Sequence, residues 1–178
     1  LRKRASFAYT EDEKTAPFPS AKAESVTKPT RFQLANAQLN LEYQAAQDRL
    51  HLSRFSTPAA SWLIASAASP LFRVYTADAV YDATNLAFRA FDLTIEDGIQ
   101  HGIAHFHGAS LTVEHHSLLY ENTALTEHWQ VVRATGTAPL HITRIDSLSL
   151  DLPAAPLDLL HFTSDWGQEF QPVRAPLT

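Results

Sequence analysis

The feature that most limits how this chain can fold is apolar alternation at period two, in short runs separated by turn residues. "RFQLANAQLNLEYQ" puts Phe32 and Leu34, then Leu39, Leu41 and Tyr43, on alternate positions. "RLHLSRF" repeats the pattern with Leu50 and Leu52, and "QAAQDR" between the two runs reads as a turn. Successive side chains of a strand point to opposite faces, so this pattern gives a sheet one apolar face and one wet face. A helix would need apolar spacings of three and four, and no amphipathic helix of three or more turns is legible.

The pattern continues downstream. "LFRVYTADAVYDATNLAFRAFDLTIEDG" places Phe72, Val74, Phe91, Leu93 and Ile95 in alternation before an acidic Asp-Gly turn. "IAHFHGASLTVEHHSLLYEN" carries Ile103 and Phe106 to Gly108, then Leu111 and Val113. "TEHWQVVRATGTAPLHITRIDSLSLDLP" reads as two β-rich runs joined in a hairpin around "TGTAP". Along its second run the step from Ile142 to Ile145 breaks alternation and predicts a bulge. "TPAASWLIASAASP" fits a short helix or an irregular loop bounded by Pro58 and Pro70. Many short strands, about 8 to 12 residues apart, predict an all-β fold, an antiparallel β-sandwich. Residues 1–30 are polar, with Pro17, Pro19 and Pro29, and read as a tail or irregular wrap before a sandwich domain over 31–178.

Composition narrows the function classes. A length of 178 residues with 45% hydrophobic content supports one sizeable core. A net charge of −5 without a basic cluster argues against nucleic acid as a partner. No apolar run approaches the roughly 18 residues that span a bilayer, so no membrane partner is expected. The basic start "LRKR" has no apolar stretch behind it and is not a signal peptide as it stands. With no Cys, a disulfide framework, a thiol nucleophile and a thiolate-held metal are all excluded; this fits a reducing compartment such as the cytoplasm without requiring one. There is no Met and the chain opens at Leu1, which reads as a fragment of a longer protein.

Four constellations carry chemistry. Five of the nine His fall between His101 and His116. His105 and His107 share a strand face, and with His101, His115 or Glu114 they could ligate a metal. Equally, they fit histidines scattered over a half-solvated sheet, and adjacent His115 and His116 must point to opposite faces. Acids are plentiful, including Asp92, Glu96, Glu114, Asp146, Asp165 and Glu169, and glycoside hydrolysis needs two of them across a sugar. None is marked by its flanks as buried. Ser-His-Asp chemistry lacks the G-x-S-x-G elbow. The fourth is "TSDWGQEF", where Asp165, Trp166, Gly167 and Glu169 stand together. A Trp face can stack on the C–H patch of a pyranose while flanking acids accept hydrogen bonds from hydroxyls; it can equally pack at the edge of a sandwich.

At "LDLLHFTSDWGQEFQPVRAPLT" the residues resemble the end of the N-terminal β-supersandwich domain of glycoside hydrolase family 36, the α-galactosidases. The match runs through Ser164, Asp165, Trp166, Gly167, Gln168 and Glu169, then Arg174, Pro176 and Leu177. Upstream, Ser147, Leu150, Asp151, Leu152 and Pro153 follow the family's order, and the likeness covers about Phe88 to Leu177. The resemblance implies a galactose-mutarotase-like supersandwich that carries no catalytic residue and no cofactor. The Asp nucleophile and the Asp acid/base would lie on a (β/α)₈ barrel, which takes about 200 to 250 further residues. It implies that Trp166 lines a substrate pocket at the domain boundary, with Asp165 and Glu169 beside it. The implied partners are an α-galactoside oligosaccharide, the chain's own barrel, and further copies in a homo-oligomer. The alternative is a free-standing carbohydrate-binding or mutarotase-like sandwich, with Trp62, Trp129 and Trp166 displayed on one sheet face.

Overall fold

The computed structural model describes residues 30–63, 69–151, 157–165 and 168–177. The tail expected over 1–30 lies, but for Thr30, outside them. The described residues form strands and turns and no helix, so the fold is the expected all-β sandwich. No helix is long and apolar enough to cross a membrane among them.

Among the described residues, thirteen strands build four antiparallel sheets. The first holds, in order, β1 (Thr30–Ala35), β2 (Asn40–Ala46), β3 (Arg49–Ser56) and β4 (Ser61–Leu63). The second runs β10 (Thr126–Ala134), β9 (Leu111–Leu119), β8 (Ile99–His107), β7 (Ala87–Glu96). The third runs β11 (Ile142–Ser149), β5 (Leu71–Thr76), β6 (Val80–Asp82). The fourth is the hairpin β12 (Leu157–Asp165) and β13 (Gln168–Leu177).

Local chemistry sets the turns. Asp97 and Gly98 both take positive φ, 51° and 78°, and join β7 to β8 through the two-residue turn that Asp-Gly favours. Gln47, with φ 58°, turns β2 into β3 where "QAAQDR" predicts it. Asn36 Oδ1 accepts hydrogen bonds from the Gln38 and Leu39 backbone N–H groups and shapes the β1–β2 connection.

Two sequence expectations are corrected. Ser61–Leu63 is strand β4, hydrogen-bonded to β3, rather than part of a short helix; residues 64–68 of that segment lie outside the described residues. The runs on either side of "TGTAP" do not form a hairpin: β10 pairs with β9, whereas β11 crosses to another sheet and pairs with β5. Local alternation cannot distinguish a hairpin from a crossover, because both arms want an apolar face. The predicted bulge is present as a register shift between Ile142 and Arg144.

The core lies where the first two sheets and β5 meet. Leu34, Leu41, Leu50, Phe72, Phe106, Leu111 and Leu119 are each at most 1% exposed. A buried side chain of this size contributes about 2 kcal/mol by leaving water. Phe32 stacks on Phe91 at 4.6 Å between centroids, and Phe106 meets Phe72 and Phe88 edge-on. Gly102 marks the closest approach: a Cβ there would stand 2.7 Å from the Phe91 ring and 3.0 Å from a Leu34 methyl. At the rim, the Gln100 side chain accepts from the Ala35 N–H and donates to the Ala35 carbonyl, tying β8 to β1.

Candidate functional site

β12 and β13 carry the described residues of the predicted site segment, Asp165 and Glu169. Their register runs from Leu157↔Leu177 to Asp165↔Gln168, so Asp165 closes one arm and Glu169 is the second residue of the other. Trp166 and Gly167, which stand between those arms in sequence, lie outside the described residues. Of the surrounding side chains, Arg174 makes an ion pair with Asp158 across the hairpin, and Leu160 is exposed.

The histidines divide by strand parity. On β9, His115 and Ser117 share the inward face with Leu111, Val113 and Leu119, while Glu114 and His116 face outward. His115 and His116 therefore diverge as the sequence requires. On the outer face, cross-strand neighbours build a layer over β8 to β10. Trp129 pairs with His116 in register and stacks on it at 4.7 Å with rings 13° apart. His116 Nδ1 shares a hydrogen bond of 2.9 Å with His101 Nε2. Glu114 accepts from Arg133 at 2.5 Å and sits 3.5 Å from His116 Nε2. His105 bonds Asp92 at 2.8 Å. Burial and then the charge of His101 hold the His116 imidazole below its ordinary range, against the pull of Glu114. Partial burial pushes Glu114 up, but the bond and charge of Arg133 outweigh it and the carboxyl ends below its usual value. No group of three or more ligands converges for a metal among the described residues.

On the inner face is a polar node. Ser117 Oγ lies 3.0 Å from Tyr43 Oη, 3.1 Å from His128 Nδ1 and 3.4 Å from His115 Nε2. Gln130 Nε2 reaches His115 Nδ1 at 2.9 Å and donates to the Ser147 carbonyl of β11 at 2.8 Å. Phe72 stacks on His115 at 5.6 Å, and His115 on His128 at 5.6 Å. The partners constrain the proton pattern. A carbonyl only accepts, so the Gln130 nitrogen faces Ser147 and donates to His115 Nδ1 as well. His115 then carries its proton on Nε2 and donates to Ser117, whose own hydroxyl proton serves one of Tyr43 and His128 while the other donates to it. Burial drives His115 down to about 3, helped by the charges of His128 and His116, and drives His128 down to about 4. Burial lifts the Tyr43 phenol to about 12, against its bond to Ser117. Sequence reading did not single out this node; the signal present was His115 and Ser117 sharing parity with Val113 and Leu119.

A third feature is an open cleft of about 370 Å³ between the β5–β6, β8–β9 and β10–β11 connections. Tyr81, Asp78, Ser110 and His141 line it, and Tyr81 Oη and Ser110 Oγ hold each other at 2.9 Å. The aromatic strip foreseen for a free-standing sugar binder does not form on one sheet: Trp62 belongs to β4 and Trp129 to β10, in different sheets.

Comparison with known families locates the chain. The family model described as the glycosyl hydrolase family 36 N-terminal domain matches residues 33–178. Comparisons with curated proteins and with solved structures gave no match. That match takes in every strand from β2 to β13 and the second half of β1. The chain belongs to the glycosyl hydrolase family 36 N-terminal domain family.

Proposed function

We propose that this chain is the non-catalytic N-terminal domain of an α-galactosidase-like retaining glycoside hydrolase. In this reading it contributes one wall of the substrate pocket and takes part in assembly, while the two catalytic carboxylates reside on a partner (β/α)₈ domain. The observation that carries the reading is the family match across residues 33–178. Support for the pocket role comes from the β12–β13 hairpin, whose pairing brings Asp165 against Gln168, next to Glu169. A Trp there would stack on the apolar face of a galactoside, and Asp165 and Glu169 would accept hydrogen bonds from its hydroxyls. Homo-oligomer formation and a boundary between a tail over 1–30 and a domain over 31–178 belong to the same proposal.

The test is Trp166→Ala in the full-length enzyme. Loss of a stacked sugar costs about 1 to 3 kcal/mol, which raises KM for galactosides by about one to two orders of magnitude. Unchanged KM and kcat with a lowered melting temperature would assign Trp166 to packing alone and remove the pocket role.

A further inference from the structure

The inner-face node joins three sheets through side chains. Tyr43 comes from β2 in the first sheet; Ser117, His115, His128 and Gln130 come from β9 and β10 in the second; the Ser147 carbonyl comes from β11 in the third. We propose that this node is an acid-operated latch, in which protonation of His115 turns the Gln130 amide and releases β11 from β10.

The geometry supplies the coupling. In the neutral state the two acceptors, His115 Nδ1 and the Ser147 carbonyl, share the Gln130 nitrogen, and Gln130 Oε1 is buried with no hydrogen-bond partner among the described residues. A proton on His115 Nδ1 converts that acceptor into a donor, and two donors then face each other at 2.9 Å. Turning the amide by half a revolution presents Oε1 to the new N–H and gives that orphaned oxygen a partner. The same turn points Oε1 at the Ser147 carbonyl, so the bond that held β11 becomes a contact between two acceptors. Ser147 lies in the irregular stretch of β11, between Asp146 and Ser149, where the ladder to β5 shifts register. Fewer backbone bonds hold the strand there, so one lost side-chain bond weighs more.

The surroundings leave the proton little compensation. The node meets Tyr43 from β2, the uncharged Phe72 ring from β5, His128 and Gln130 from β10, and a backbone carbonyl from β11. His116 acts on His115 from the opposite face of β9, and no carboxylate among the described residues acts on either inner imidazole. A second proton, on His128, adds like-charge repulsion across the stacked pair.

The test is amide hydrogen exchange on the full chain at about pH 7 and about pH 5, corrected for intrinsic rates. The latch predicts that amides of β11 exchange about tenfold faster at the lower pH through an opening of their own, ahead of the global opening that those of β7 and β8 report. His115→Gln with His128→Asn removes both titrating rings, keeping a donor and an acceptor toward Ser117; this variant should lose the β11 response. A single common opening for all sheets at the lower pH, or an unchanged β11 response in the double variant, overturns the latch. If the double variant does not fold, nitrogen-15 imidazole shifts of the unmodified protein, followed down through about pH 3, decide: His115 gaining its Nδ1 proton together with β11 opening supports it. The same protonation with β11 still protected refutes it.

Discussion

His115 and His116 are adjacent on β9, have the same chemistry and are both largely buried, yet they inhabit different environments. His115 stands among Phe72, Tyr43 and Ser117, and its hydrogen-bond and ring partners among the described residues are uncharged side chains or a second imidazole. His116 stands beneath Trp129, with Glu114, Arg133 and His101 around it and water beyond. One step along a strand turns a side chain from core to surface layer. The difference teaches that histidine richness over residues 101–116 is two features, an internal node and an external ladder. Each can be broken without the other.

Acid should separate them most. The inner imidazoles titrate at about 3 and about 4, below the ordinary value of 6.5. As pH falls below about 6.5 the unfolded chain binds protons that the folded chain refuses, so stability is full above that point and declines through the window down to about 4 and then about 3. At pH 5 each inner imidazole withdraws about 2 kcal/mol, or about 4 kcal/mol together. Urea midpoints at pH 7 and pH 5 check this. The double variant His115→Gln with His128→Asn should flatten most of the difference, and an undiminished slope would place the acid sensitivity elsewhere.

Truncation comes next in size. His115→Ala opens a cavity against Phe72 and leaves Gln130 and Ser117 short of partners, a loss of about 3 kcal/mol. His116→Ala exposes one face of Trp129 and should cost under about 1 kcal/mol. Equal losses from the two variants would erase the distinction. A smaller pair sharpens it. Tyr43→Phe keeps the ring and deletes the hydroxyl bonded to Ser117, for about 1 kcal/mol. Tyr120→Phe deletes an exposed bond to Glu127 and should leave the denaturation midpoint unmoved.

Much of the sandwich was legible from alternation, because burial on one face writes itself into every second residue from Phe32 to Tyr43 and from Leu111 to Leu119. Turn chemistry at Asp97-Gly98 was equally local. What alternation could not convey was pairing: β11 has the texture of a hairpin arm to β10, and only the tertiary fold sends it to β5. The same limit hid the node. Tyr43 and Ser117 are 74 residues apart, and nothing in either segment announces the other. The Trp166 segment was legible by family likeness rather than by physics, since a Trp beside two acids reads equally as a sugar platform and as an edge packer.

The smallest effect tests the outer ladder by itself. Glu114→Gln removes a carboxylate that accepts from Arg133 and faces His116 Nε2. Arg133 is more than half exposed, so the pair is screened and its loss should change stability by under about 0.5 kcal/mol. Glu114 also favours the charged form of His116, so without it the His116 titration should move to lower pH. His115 should not follow, because its causes are burial and its imidazole neighbours. Imidazole shifts of both residues in the variant read the two outcomes in one titration. If His115 moved in step with His116, the two faces of β9 would share one electrostatic environment, and the node would be an extension of the surface ladder.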